Sequence, residues 1–372
     1  MLLYYITRCH ILSIDFLIFF SGLTFKLIMK LINICLRVII HMISLLVNVH
    51  RGNIIESKHK VVCSIKDIKG KSVFANHNKE LLIYPRSAIK IFQAIPFIKS
   101  KAHIKLNLNQ KMIAMSCASH NGEVAHLKIL NAWINNTKIK IKDLKCGIHN
   151  PLNLQSSNKL LLNGITPNQL HNNCAGKHLG MISGCIANNL SYKNYTHFLN
   201  PYQKMIRQSL QFFMDTKIKK NYIGVDGCSA PQYAFPISSI ASSMINLIKQ
   251  RERENEYSKA IKTILLSINK YPKLIGGTNN FDSNIIKITK GRFFCKGGAE
   301  GVLLFADFKK KIGGVIKVLD GNERAIPPIA MKIFKKLNLL SNQEKKLLNK
   351  WENINIYNHA RLKIGKIAAK IK

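Results

Sequence analysis

Acidic residues are scarce in this chain: 18 Asp and Glu stand against 57 Lys and Arg in 372 residues, a formal charge of +39. A balance so lopsided would suit a polyanion binder if the excess formed a stripe interleaved with exposed aromatics. It does not. The lysines run along the whole chain beside abundant Ile and Asn, as in proteins encoded by AT-rich genes. That argues against a specific nucleic-acid partner and leaves only weak, salt-sensitive binding to polyanions. The nine cysteines are odd in number and none shows C-x-x-C spacing, which argues against a disulfide scaffold and fits a reducing cytoplasm better. No internal repeat or low-complexity linker occurs. With 47% hydrophobic residues, general disorder is excluded, and the length allows one large domain or two modest ones.

Clean membrane-spanning runs are also lacking. Residues 1–44 form an apolar N-terminal extension, but the run at 11–23 is short and carries Asp15. The run at 27–47 contains Lys30, Arg37 and His41, each costly at a bilayer centre. No small-residue cleavage site follows the first run. A degenerate anchor, an amphipathic helix covering the domain, and an over-extended start with translation beginning at Met42 are the three readings. The last is favoured, so a membrane role is expected only if the extension is a real anchor.

From residue 45 onward, Leu45–His50, Lys60–Cys63 and Ser72–Phe74 alternate as strands between Gly52, Gly70 and a polar turn, which reads as antiparallel hairpins. Ser87–Phe97 has helical spacing, with Ala88, Ile91, Phe92 and Ile95 on one face. Residues 179–216 and 238–269 read as helices. Ile285–Ile288, Phe293–Lys296, Gly301–Phe305 and Ile312–Val318 read as strands, and a Lys-rich helical region closes the chain. Strands at both ends around a helical middle predict one α/β (α+β) domain over 45–372, an antiparallel sheet joining distant parts of the sequence with a helical subdomain.

Five segments concentrate reactive side chains. His171-Asn172-Asn173-Cys174-Ala175-Gly176-Lys177-His178-Leu179-Gly180 packs a thiol, two imidazoles, two amides and an ammonium into ten residues, with glycines for tight backbone turns. Its bland reading is a polar loop before a helix. Pro85-Arg86-Ser87-Ala88-Ile89-Lys90 sets Ser and Lys three apart, so that a neutral amine on the same helical face can take the hydroxyl proton. The S-x-x-K spacing recurs at Ser57, Ser156 and Ser267; only Ser87 follows a strand-like run and Pro85 and opens an apolar-faced helix. Ser116-Cys117-Ala118-Ser119-His120-Asn121-Gly122-Glu123 offers substrate anchoring or a second nucleophile, against a plain helix cap at Ser119. In Gly224-Val225-Asp226-Gly227-Cys228-Ser229-Ala230-Pro231, Cys228 with Cys174 can hold a soft tetrahedral metal, zinc first, or both can be buried thiols. Cys295-Lys296-Gly297-Gly298-Ala299-Glu300-Gly301 brings a lysine off a strand before two glycines, as the third motif of S-x-x-K hydrolases does, or is a strand turn with a surface lysine. Downstream, Asp320-Gly321-Asn322-Glu323-Arg324 reads as a turn with an ion pair bracing the site.

Taken in this order, the segments resemble the Rhizobium-type (type II) L-asparaginases over about residues 46–335. The resemblance implies hydrolysis of L-asparagine to L-aspartate and ammonia on a serine β-lactamase/penicillin-binding-protein-like fold. It implies Ser87 as nucleophile, Lys90 as its base, and Ser119 with Lys296 as a second Ser–Lys pair. Cys174, Lys177 and Cys228 would bind the family's zinc, Asp226 would orient that shell or the substrate, and Arg86 and His178 would contact the substrate. A homodimer is implied as well. The competing expectations are a β-lactamase-like amidohydrolase, a cysteine nucleophile at Cys174 served by His171 or His178, and a non-catalytic polyanion binder.

Overall fold

The computed structural model describes residues 44–76 and 79–372, so the apolar extension apart from Ser44 lies outside the described residues. Twelve strands are present among them: β1 (Leu45–Arg51), β2 (Ile54–Asp67), β3 (Ser72–Ala75), β4 (Leu82–Ile83), β5 (Ile223–Val225), β6 (Pro231–Tyr233), β7 (Phe235–Pro236), β8 (Phe293–Gly298), β9 (Val302–Asp307), β10 (Ile312–Val318), β11 (Asn353–Tyr357) and β12 (Lys363–Ile371). Eight of them make one antiparallel sheet in the order β11-β12-β1-β2-β10-β9-β8, with β3 added on β2. The longer helices are α1 (Val124–Thr137), α2 (Ala175–Ala187), α3 (Pro201–Met214), α4 (Ile237–Arg251), α5 (Glu256–Lys270), α6 (Phe281–Ile288) and α7 (Ile326–Lys336). The expected mixed α/β class with an antiparallel sheet is what the chain forms, and residues Leu45–Ile371 make one compact unit.

Strand alternation decides which helix covers which face. In β10, Gly313 lies against Met244 of α4, while the next residue, Gly314, pairs with Phe305. Phe305 and Phe293 meet Phe334 of α7, each with ring centroids 4.9 Å apart. Successive residues point to opposite faces, so α4 and α7 sandwich the sheet. All six residues of β9 are consequently buried.

Two expectations fail. Ile285–Ile288 is the end of helix α6, not a strand; Phe281, Ile285 and Ile286 are buried at helical spacing, and a four-residue apolar run cannot tell the two apart. The chain closes on strands, not helices: after α7 and the short helix Asn342–Leu347, β11 and β12 pair, and β12 also pairs with β1. The Lys-rich composition reads as helical, but tertiary pairing with β1 overrides propensity.

Among the described residues no helix is long and apolar enough to cross a membrane. The seven described cysteines are all unpaired and buried.

Candidate active site

Ser87 sits on a turn forced by its neighbours. Pro85 is followed by Arg86 in the left-handed region (φ 51°), and Arg86–Ile89 form a 3-10 turn that runs directly into the helix Lys90–Gln93. Residues three apart eclipse one another in a 3-10 turn, so Ser87 and Lys90 leave the backbone on one side. The apolar face read from sequence is real: Ala88, Ile91, Phe92 and Ile95 are all buried. Lys90 is buried with them, at 0% exposure. Its Nζ donates to the Ala118 carbonyl at 2.5 Å and to Ser119 Oγ at 3.0 Å. No hydrogen bond joins it to Ser87, whose Oγ is unbonded among the described residues. Burial lowers the Lys90 pKa; Lys177 and Lys296 push the same way, against the thiols of Cys174 and Cys228.

Ser119 is not a helix cap. Glu123 fills that place for α1, in a capping box with His126. Glu123 also accepts from Thr278 N at 2.8 Å and Thr278 Oγ1 at 3.1 Å, and Ser119 N donates to Ile275 O at 2.8 Å. The loop 275–280 is thereby tied to the Ser119 segment, and it leads into α6, whose first turn carries Asp282.

Asp282 was not legible as a site residue. Its Oδ2 accepts from Gly297 N at 2.6 Å and lies 3.4 Å from Lys296 Nζ, both on edge strand β8. Lys296 is no surface lysine, being 3% exposed. The two glycines after it make room for different partners. A Cβ at Gly297 would stand 3.3 Å from both Asp282 oxygens; one at Gly298 would stand 2.7 Å from Pro85 O and 3.1 Å from Ser87 N. Strand β8 therefore rests directly on the Ser87 turn.

The third wall is the start of α2. A Cβ at Gly176 would overlap the Met115 carbonyl, and one at Gly180 would come 3.3 Å from Ser116 Cβ. These glycines therefore serve close helix packing; the tight turn expected of them is not what they make. The packing carries Cys174 and Lys177 to the site. Lys177 Nζ donates to Cys228 Sγ at 2.9 Å, and Cys228 Sγ lies 3.8 Å from Asp226 Oδ2 in the β5–β6 turn. Asp226 in turn takes Arg86 Nε at 2.9 Å and its Nη2 at 2.7 Å. The hydrogen bond from Cys228, helped by Lys90 and Lys177, holds the Cys174 thiol well below its usual range although burial opposes it. Burial likewise opposes charge on Lys177, but Cys228, Cys174 and Asp226 outweigh it and raise its pKa. Asp226 is kept below the ordinary carboxylate range by Lys177 and Arg86, against its burial.

A model of the L-asparaginase II family matches residues 47–369 and takes in every one of these side chains. This chain belongs to the L-asparaginase II family. The match runs through β11 and most of β12, further than the 46–335 read from sequence. No curated protein matches the chain at a significant level. Among solved structures it is similar to the crystal structure of a candidate beta-lactamase from Bacteroides dorei DSM 17855, at 7% identity and a TM-score of 0.35, covering 84% of this chain and 99% of that one. A likeness that loose carries no functional inference.

Within this L-asparaginase II family chain the cysteine-nucleophile alternative finds no base in either expected histidine. His171 Nδ1 is engaged by Asn168, whose N lies 2.9 Å away. His178 Nδ1 meets Tyr195 OH at 2.6 Å, and Lys145 N donates to that same oxygen at 2.7 Å. Tyr195 OH thus holds the Nδ1 edge of His178 and turns the ring's Nε2 away. That atom is buried without a partner, as is His120 Nε2. Burial, with Lys177 and Lys90, keeps His178 well below its usual pKa.

Proposed function

We propose that this protein hydrolyses L-asparagine to L-aspartate and ammonia through an acyl-enzyme at Ser87. The observation that carries the reading is the buried Lys90 amine: it has no carboxylate partner, is destabilised as a cation by burial, and is hydrogen-bonded to Ser119, on the side of the turn from which Ser87 also leaves the backbone. A neutral amine so placed can take a serine proton as the hydroxyl attacks the side-chain carbonyl, directly at Ser87 or relayed through Ser119. Returned to the leaving nitrogen, that proton releases ammonia; water then attacks the ester and frees the acid. Lys296, fixed by Asp282, offers a cation beside the same turn. Arg86 supports the site through Asp226, to which it is paired, and His178 Nε2, buried without a partner, is available to a substrate or water. The Ser87 turn seated on an edge strand bearing Lys296-Gly297-Gly298 also supports the finer β-lactamase-like architecture.

The zinc reading belongs to the same proposal. Among the described residues no group of three His, Cys, Asp or Glu is placed to hold a metal, but the converging donors here include a lysine. Two buried thiols and an amine fit a soft cation, with Cys174, Lys177 and Cys228 as ligands and Asp226 behind them. Such an ion supplies Lewis-acid fixing of a substrate oxygen. The ligand amine must be deprotonated, so metal affinity should fall with pH. The family's homodimer and the cytoplasmic setting are part of the proposal, the latter supported by the unpaired cysteines.

The test is ammonia release from L-asparagine, with L-glutamine and nitrocefin alongside, for wild type, Ser87→Ala and Cys174→Ala, with zinc content measured for each. Loss of turnover in Ser87→Ala is the expected result. Full activity there with none in Cys174→Ala would move the nucleophile to the thiol.

A further inference from the structure

L-Asparagine carries an α-carboxylate and an α-ammonium besides its amide, and a site that selects it needs an anion for the latter. The charges around Ser87 leave few candidates. Asp226 is committed to Arg86 at 2.7 Å, and Asp282 to Gly297 N and Lys296. Glu123 is taken up by Thr278 and Asn121. Glu300 and Glu323 remain, and among the described residues neither carboxylate makes a hydrogen bond or an ion pair; Glu300 Oε2 is turned against Gly321, 2.3 Å from where a Cβ would stand, whereas Glu323 lies within electrostatic reach of Asp282, Lys296 and Arg86.

Its position follows from the backbone in two steps. Gly298 rests on the Ser87 turn, and the next turn of the chain, Glu300-Gly301, packs on the segment leading to Glu323: a Cβ at Gly301 would meet Val318 at 2.8 Å and the Gly321 carbonyl carbon at 3.2 Å, and Val318 N donates to Gly301 O at 2.8 Å. That segment is itself anchored. His59 Nδ1 donates to Asp320 at 2.6 Å and its Nε2 accepts from Arg324 at 3.0 Å; Arg324 also reaches Ser57 Oγ at 3.2 Å. The turn expected from sequence is present, but Asp320 and Arg324 make no ion pair with each other; His59 bridges the two, and Glu323 between them is left partly exposed and unpartnered.

The geometry points to Glu323 as the specificity-determining carboxylate that binds the α-ammonium of the substrate. This rests on the amidohydrolase reading above and deepens it: the substrate class is an unblocked α-amino acid carrying a side-chain amide. Partial burial, Asp282 and Glu300 raise the pKa of the Glu323 carboxyl against Lys296 and Arg86, and an arriving ammonium relieves the repulsion among the acids.

The discriminating pair is L-asparagine and succinamate, which shares the amide and the carboxylate but lacks the amine. Wild type and E323Q, an isosteric change at an exposed position, are assayed for ammonia release from both. The expected result is a wild-type preference for L-asparagine in kcat/KM that falls at least tenfold in E323Q and is partly restored in E323D. A wild type that takes succinamate as readily as L-asparagine overturns the assignment while leaving the amidohydrolase standing, as does an E323Q variant whose preference is unchanged. A wild type that hydrolyses neither amide sinks the amidohydrolase reading instead. Calorimetric binding of L-aspartate against succinate then tests Glu323 by itself: preference for the amino acid, lost in E323Q, upholds it, and equal or absent binding overturns it.

Discussion

The two ends of β8 meet their buried charges in opposite ways. At the start of the strand, Arg292 reaches Asp307, Glu344 at 2.8 Å and the Leu339 carbonyl at 3.0 Å. Asp307, wholly buried, also accepts from Lys309 N at 2.9 Å and Lys310 N at 3.0 Å. Each of Arg292, Asp307 and Glu344 there has a countercharge and more than one hydrogen bond. At the far end, Lys90 is equally buried but has no carboxylate, the Ser87 hydroxyl is unbonded, and His178 and His120 each leave a ring nitrogen unpartnered. Satisfied polar groups hold a fold together; unsatisfied ones, costing ~1–3 kcal/mol each, persist where a ligand completes them.

The largest effect that sharpens this contrast is Ser87→Ala. Asparagine turnover should fall by ~10⁴-fold or more, with the midpoint of thermal unfolding unmoved, because the lost hydroxyl bonds to nothing. Lys90→Met should cost ~10³-fold in kcat/KM yet stabilise the fold by ~1 kcal/mol in urea titrations, since a buried amine with no carboxylate partner gives way to an apolar chain of similar volume. Unchanged activity would remove Lys90 from the chemistry. Gly298→Ala would push β8 off Pro85 and Ser87; a loss of ~10²-fold in kcat is expected, and wild-type kcat would mean the strand and turn need not touch. At the other end, Asp307→Asn should destabilise by ~3–5 kcal/mol while the folded fraction keeps its kcat; a matching loss of kcat would erase the distinction between the two ends.

The smallest effect concerns acid. Hydrogen bonds from Ser341 and Arg292 hold the Glu344 carboxyl below its ordinary range despite burial. A folded-state pKa lower than the unfolded one means stability that is present above the carboxylate range and lost as pH falls through it. Glu344→Gln should flatten the acid limb of a stability-against-pH curve; an unchanged limb would show that the cluster is not tuned by this charge.

Much of the site could be read in the chain because its chemistry is local. Ser87 with Lys90, and Cys174 with Lys177, are each carried on one turn of backbone, and residue spacing sets their relation. The order of the five segments was enough to indicate the family. What could not be read depends on contacts between distant segments. Asp282 gains its role only because α6 lies along β8, and no local pattern distinguishes it from any first-turn acid. Glu323 is defined by what the other carboxylates already bind. Gly176 looked like a turn residue, since nothing nearby in sequence shows that the Met115 carbonyl lies against it. The C-terminal strands were missed for the same reason: β12 finds its place by pairing with β1.

That pairing has a consequence for synthesis. Ser87 and its lysine leave the ribosome early, whereas the strand carrying Lys296 follows much later and the strand that flanks β1 later still. Contacts so distant along the chain make folding slow to begin. They also make it a checkpoint: a chain cut short before β8 holds a serine and an amine but lacks both the lysine and the surface that positions them, so an interrupted translation product should be inert as an amidohydrolase.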